Sequence, residues 1–153
     1  MSRDLGQPDF KPLIALAWRA DRALQADMVA QAHRAGHPGI KPAHNAVFAT
    51  LQPGGTRAAD MAARYGMTRQ SMGELLRDME ALGYVEMVPD PDDRRAKLVR
   101  YTPAGREVAA GGYRHIRESE ERFAREVGVE DFATMRRVLT RVYELLEAEH
   151  GRS

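Results

Sequence analysis

The stretch "PDPDDRRAKLVRYTPAG" (89–105) sets Arg94 and Arg95 side by side, directly behind Asp90, Asp92 and Asp93. A guanidinium presents a planar fork of donors that suits phosphate oxygens and base edges. A carboxylate beside it can accept some of those donors and fix where the fork points. A solvated turn needs polar residues, but it does not need two adjacent arginines. At a rigid tip such a pair can enter a minor groove, where narrow A·T-rich stretches concentrate negative potential. Asp93 is then the candidate for orienting Arg95, and Asp90 for capping the turn. The bland alternative is a solvated charged turn that contributes little energy.

A second set lies upstream in "MTRQSMGELLRDMEAL" (67–82). Met72, Leu75, Leu76, Met79 and Leu82 recur at helical spacing and form an apolar stripe. At about 100° per residue, Gln70, Gly73, Glu74 and Arg77 fall on the opposite face. The three side chains there have the lengths and polar groups that reach base edges, and Gly73 would let a backbone come close. Arg69 and Ser71 flank this line where phosphates would sit, near the partial positive charge of the helix start. Thr68, Arg57 and Lys97 complete the candidate set. A polar face opposite a leucine stripe is also what any surface helix shows.

The elements that must position these residues follow from the pattern. Residues 11–33 carry Leu13, Ala17, Ala20, Leu24 and Met28 at helical spacing, and "RAGHPGIKP" (34–42) ends that run. "AHNAVFATL" predicts a short helix burying Val47, Phe48 and Leu51. "TRAADMAARY" (56–65) predicts another, with Ala58, Met61, Ala62 and Tyr65 on one face. Gly66 can take the left-handed conformation that ends one helix as the next begins, and Thr68 suits the N-cap. After Gly83, "YVEMV" and "KLVRYT" read as two strands joined by the charged loop. "TPAG" reads as a helix start, with Thr102 as cap and Pro103 in the first turn. A helix to about Glu126 and a last one over 131–147 complete the chain. The fold class is mostly α with a small β-hairpin: a winged helix-turn-helix flanked by N- and C-terminal helices.

The chain has 153 residues, 43% hydrophobic and 29% charged, a balance ordinary for one globular domain. Its net charge is only +1. Between Arg57 and Arg100, eight bases face eight acids, so any nucleic-acid reading must rest on where charges sit. No run of about 18 apolar residues is present, so no membrane span is expected. "MSRDLGQPDF" lacks an export pattern, and the absence of cysteine removes disulfides and thiol redox sensing; a cytoplasmic location is expected.

From about Lys41 to Gly105 the sequence resembles the MarR family of bacterial and archaeal winged-helix regulators. "GTRAADMAARYGMTRQSMGELLRDMEALGYVE", the wing "DPDDRRAKLV" and "YTPAG" carry the resemblance. The family's D-x-R-D-x-R wing spacing falls on Asp90, Asp92, Asp93 and Arg95, with Asp92 where the family has arginine. The resemblance implies a DNA-binding lobe over 41–102 and dimerisation helices over 10–33 and 103–147. It implies double-stranded DNA and a second copy of the chain as partners, with Arg95 in the minor groove. It also implies repression of transcription from a palindromic operator, relieved by a small-molecule effector. Trp18, His44 and Phe48 are candidate effector contacts, although Trp18 and Phe48 read more simply as core and His44 as a satisfied buried histidine.

Other chemistries find less support. His33 and His37 have a metal-ligand spacing, but Gly36 and Pro38 break the helix that would align them, so no metal site and no cofactor is expected. No nucleophile and base pair stands out, so an enzyme is not expected. A winged helix that binds only protein is the main alternative, with a metal-sensing regulator behind it, and salt dependence of DNA binding would separate a DNA reader from a protein-binding module.

Overall fold

A computed structural model of the protein describes residues 11–151. The reading of residues 1–10 as lacking an export signal, and the start of the first helical segment at residue 10, lie outside these. The described chain forms two compact units, 11–112 and 113–151.

In the first unit, α1 (Leu13–Arg34) precedes a 3₁₀ turn (Pro42–His44) and the short α2 (Asn45–Thr50). The helix pair α3 (Ala58–Tyr65) and α4 (Arg69–Ala81) follows, then a hairpin of β1 (Val85–Asp90) and β2 (Asp93–Tyr101). The core is assembled from all of these: Val47, Met61, Met72, Met79, Val85 and Val99 are fully buried. Unbranched, polarizable methionine fills the irregular space where three short helices meet a hairpin. Gly66 is left-handed at φ 77°, as the tight α3–α4 connection requires. Thr68 Oγ accepts the Ser71 N–H and caps α4 as expected.

Helix α5 (Pro103–Val127) starts against the hairpin. Thr102 Oγ donates to the Gly83 carbonyl and accepts the Gly105 N–H, joining the end of α4, the strand and the new helix at one hydroxyl. Gly105 is obligatory here: a Cβ at that position would lie 1.8 Å from the Tyr84 carbonyl oxygen. In the second unit, α6 (Val129–His150) runs longer than the 131–147 expected from sequence, and Arg136 pairs with Glu120.

Three expectations change. The charged loop is mostly strand, and only Pro91 and Asp92 form the turn. The first half of α1 is not core: Leu13, Ile14 and Trp18 are exposed, Trp18 by 59%, and burial begins at Val29 and Ala32. Arg22 sits over the Trp18 ring, 5.6 Å from its centroid, a cation–π contact at an exposed ring. Tyr65 and Leu82, expected to pack inward, lie at helix ends and are exposed.

Candidate nucleic-acid interface

The α4 stripe is turned inward through Met72, Leu76 and Met79, with Leu75 half-buried. Gln70, Glu74 and Arg77 are therefore exposed on the outer face, together with Arg69 and Ser71 at the helix start. Gln70 Nε2 lies 3.4 Å from Glu74 Oε1, so the two polar side chains share one turn of the helix. At Gly73 an added Cβ would meet only the end of the Arg77 side chain, at 3.6 Å. Nothing within the fold demands a glycine there. Thr68, besides capping the helix, donates its hydroxyl to Ser71 Oγ at 2.9 Å.

One carboxylate anchors α4 from behind. Asp78 Oδ2 lies 3.0 Å from Lys41 Nζ and 3.3 Å from His44 Nε2. His44 is wholly buried, and its Nδ1 accepts the Lys41 backbone N–H at 3.1 Å. Nε2 must then carry the proton that Asp78 accepts. The Lys41 and His44 hydrogen bonds hold the Asp78 carboxyl below the usual aspartate range. With both ring nitrogens engaged, His44 is a structural tie between the 3₁₀ turn and α4. Phe48 is half-buried and stacks on Tyr101, with ring centroids 6.2 Å apart.

The wing owes its shape to an interrupted ladder. Strands β1 and β2 pair in antiparallel register from Val85 with Tyr101 to Pro89 with Lys97, and then Asp90 pairs with Asp93. Arg94, Arg95 and Ala96 thus bulge out of the hairpin opposite a proline, which has no N–H to offer a ladder. Side chains replace the missing bonds. Asp90 Oδ1 accepts the Asp92 N–H at 2.9 Å, and Asp93 Oδ1 accepts the Arg95 N–H at 3.0 Å. Asp90 caps the turn as expected. Asp93, by contrast, fixes Arg95 through its backbone and not through the guanidinium. Both arginine side chains are exposed, and among the described residues neither forms an ion pair.

Arg57 stands apart from the other candidates. Its Nε and Nη2 lie 2.8 and 2.6 Å from Asp90 Oδ2, and Nη2 is 3.9 Å from Asp93. Asp90 is only 5% exposed, unlike the wing tip beyond it. Its carboxyl is held below the ordinary range first by the Asp92 N–H and then by Arg57. Sequence reasoning missed this pair, and also an isolated bridge beside it: Thr56 and Val99 exchange backbone bonds of 3.0 and 2.9 Å. A β-branched Thr56 behind "PGG" is the only local signal for that bridge. Lys97 is exposed on β2. His33 Nε2 donates to the Ile40 carbonyl and His37 Nδ1 lies 2.9 Å from the Tyr84 hydroxyl, so the two histidines serve separate bonds.

A helix pair followed by an arginine-bearing hairpin defines a winged helix-turn-helix fold. Residues 39–96 match the model of the MarR family, and this segment is a MarR-family winged helix. The chain is 41% identical over 54 residues to the transcriptional activatory protein BadR of Rhodopseudomonas palustris; the match covers 35% of this chain and 31% of that protein. The fold is that of MarR-family structures. It is similar to the transcriptional repressor CouR bound to a 23-mer DNA duplex, with TM-score 0.69 and 21% identity over 86% of this chain and 92% of that one. It is also similar to Streptococcus pneumoniae FabT in complex with DNA, with TM-score 0.72 and 20% identity over 87% and 93%. Wild-type MarR from E. coli, in its apo form, matches with TM-score 0.70 and 16% identity over 88% and 98%. Among the described residues no helix is long and apolar enough to cross a membrane.

Proposed function

We propose that this chain is a transcription regulator that reads duplex DNA as a homodimer. Helix α4 of each copy enters a major groove, with Gln70, Glu74 and Arg77 toward base edges and Arg69 and Ser71 toward phosphates. The wing lies beside it, with Arg95 in the minor groove and Arg94 and Lys97 along the backbone. One observation carries this reading: Arg94 and Arg95 project from a bulge while Asp90 is engaged by Arg57 and the Asp93 carboxylate by a backbone N–H. A wing held together by its own charge pairs would not leave both guanidinium groups outward.

The apolar faces left open supply the reason for a second copy. Leu13, Ile14, Leu16 and Trp18 are exposed on α1, and Met135, Val138, Leu139 and Tyr143 on α6. Rows of this kind on a small protein mark an interface. Residues 41–102 then form the reading lobe, and 10–33 with 103–147 the dimer helices. Two-fold symmetry would set the recognition helices about 34 Å apart, one duplex turn, on a palindromic operator. We read the sign as repression relieved by a small molecule, for which Trp18 and Phe48 offer apolar surface.

Genomic footprinting with the purified protein tests the proposal, because the protected site names operator and neighbouring gene together. Arg95→Ala should cost about 1–3 kcal/mol of affinity for that site with folding intact. Affinity should fall with salt at about −0.9 in log–log slope for each neutralised phosphate. Binding that ignores salt, or an unprotected genome, would defeat the reading.

A further inference from the structure

Arg57 occupies the N-cap of α3, a position where serine, threonine, aspartate or asparagine would normally accept a backbone N–H. An arginine cannot do that, and no side-chain cap is formed there. The guanidinium instead spans 33 residues of sequence to reach Asp90. Asp90 faces two ways: Oδ2 takes Arg57, while Oδ1 takes the N–H of Asp92 at the wing tip. Just before Arg57, the Thr56 backbone pairs with Val99 in β2. The wing is thus joined to the start of the helix pair by two backbone bonds at Val99 and, beside its turn, by one charged clamp at Asp90.

We propose that Arg57 is a positioning residue for DNA reading, which fixes the wing and its arginine bulge relative to α3 and α4 through Asp90. Arg57 Nε and Nη2 are turned to the wing carboxylates, and a phosphate contact is no part of this role. The inference rests on the duplex-reading proposal for its consequence, although the clamp can be measured without DNA. Only a hairpin held at a set angle can place Arg95 in a minor groove while α4 lies in the major groove beside it. A released wing must be ordered again on every binding event.

Arg57→Ser tests this, because serine restores a normal cap to α3 while removing the clamp. In the DNA-free protein, hydrogen exchange at the Asp92 and Arg95 amides should accelerate roughly tenfold or more, with α4 amides unchanged and the first α3 amides no faster, as expected for local opening of the wing. Unchanged wing exchange would overturn the clamp. For the duplex that the wild-type chain selects from a randomised pool, affinity should fall about three- to tenfold, the cost of ordering a freed segment. The salt slope should stay at the wild-type value. A slope reduced by about 0.9 would show Arg57 to be a phosphate contact and overturn the positioning role. Asp90→Asn should reproduce the loss, and adding Arg57→Ser to it should cost little more; fully additive losses would mean the two do not act as one device. If the wild-type chain selects no duplex, the reading of DNA falls, while the exchange measurement still decides the clamp.

Discussion

Gly73→Ala separates the demands of the fold from those of the proposed ligand. Gly73 lies within α4, and a Cβ placed there meets only Arg77 Nη1, at an ordinary contact distance of 3.6 Å. The long arginine can yield without disturbing the core, because Met72 and Leu76 face the other way. Glycine inside a helix costs about 1 kcal/mol relative to alanine. The variant should therefore be more stable by about that amount, which for a chain of this size raises Tm by roughly 2–4 °C. Binding should move in the opposite direction. If the Gly73 backbone comes against the duplex, the new methyl overfills the contact, at a cost of about 1–3 kcal/mol. That corresponds to a loss of about five- to 140-fold in affinity. Calorimetric melting and anisotropy titration on the same preparations provide both numbers. A raised Tm with unchanged affinity would show that this face of α4 does not approach DNA closely. A lowered Tm would show that the space around Gly73 has been misjudged.

The same substitution at Gly105 should do the reverse. With a Cβ 1.8 Å from the Tyr84 carbonyl, α5 must shift off the hairpin, and Gly105→Ala should cost about 3 kcal/mol or more; a wild-type melting curve would refute this. The acid limb of stability should reflect Asp78 and Asp90, whose carboxyls are held below their ordinary value of 3.8 by their hydrogen bonds. A lowered folded-state pKa means the stabilisation is present above that value and is lost as pH falls below it. Melting temperature should fall through this range, and Asp78→Asn and Asp90→Asn should each flatten the decline. Parallel pH profiles for variants and wild type would remove both groups from the account.

What could be read from sequence was what short-range chemistry decides. Gly66, the Thr68 cap and the Thr102 cap each act within three residues, so local rules found them. The α4 stripe was equally legible, because one helix face repeats every few residues. The wing was found as a motif but not as a geometry. Asp93 and Arg95 are neighbours either way, and sequence spacing does not say whether the carboxylate takes the guanidinium or the backbone N–H. The Arg57–Asp90 clamp and the Thr56–Val99 bridge join residues 33 and 43 apart, and no periodicity signals such pairs. Trp18 was misplaced for a related reason: an apolar stripe shows that a face wants cover, not which partner supplies it.

The balance of charge over residues 57–100 takes on meaning only after its pairs are assigned. Asp78 is engaged by Lys41 and His44, and Asp90 by Arg57. Each is a carboxylate tied to a residue that braces α4 or the wing. Among the described residues, Arg69, Arg77, Arg94 and Arg95 are exposed and enter no such ion pair. Two of the eight acids in that count are therefore committed to bracing pairs and not to these arginines. Surface charges are screened over about 8–10 Å at physiological salt, so a duplex phosphate senses the nearest arginine far more than the sum over the chain. A near-neutral protein can then present exposed arginines at the wing and at the start of α4. Replacing its bracing carboxylates would make the total more basic while loosening the parts that aim the arginines. Affinity should therefore fall as net positive charge rises in Asp90→Asn, which a protein that bound DNA through bulk charge could not show.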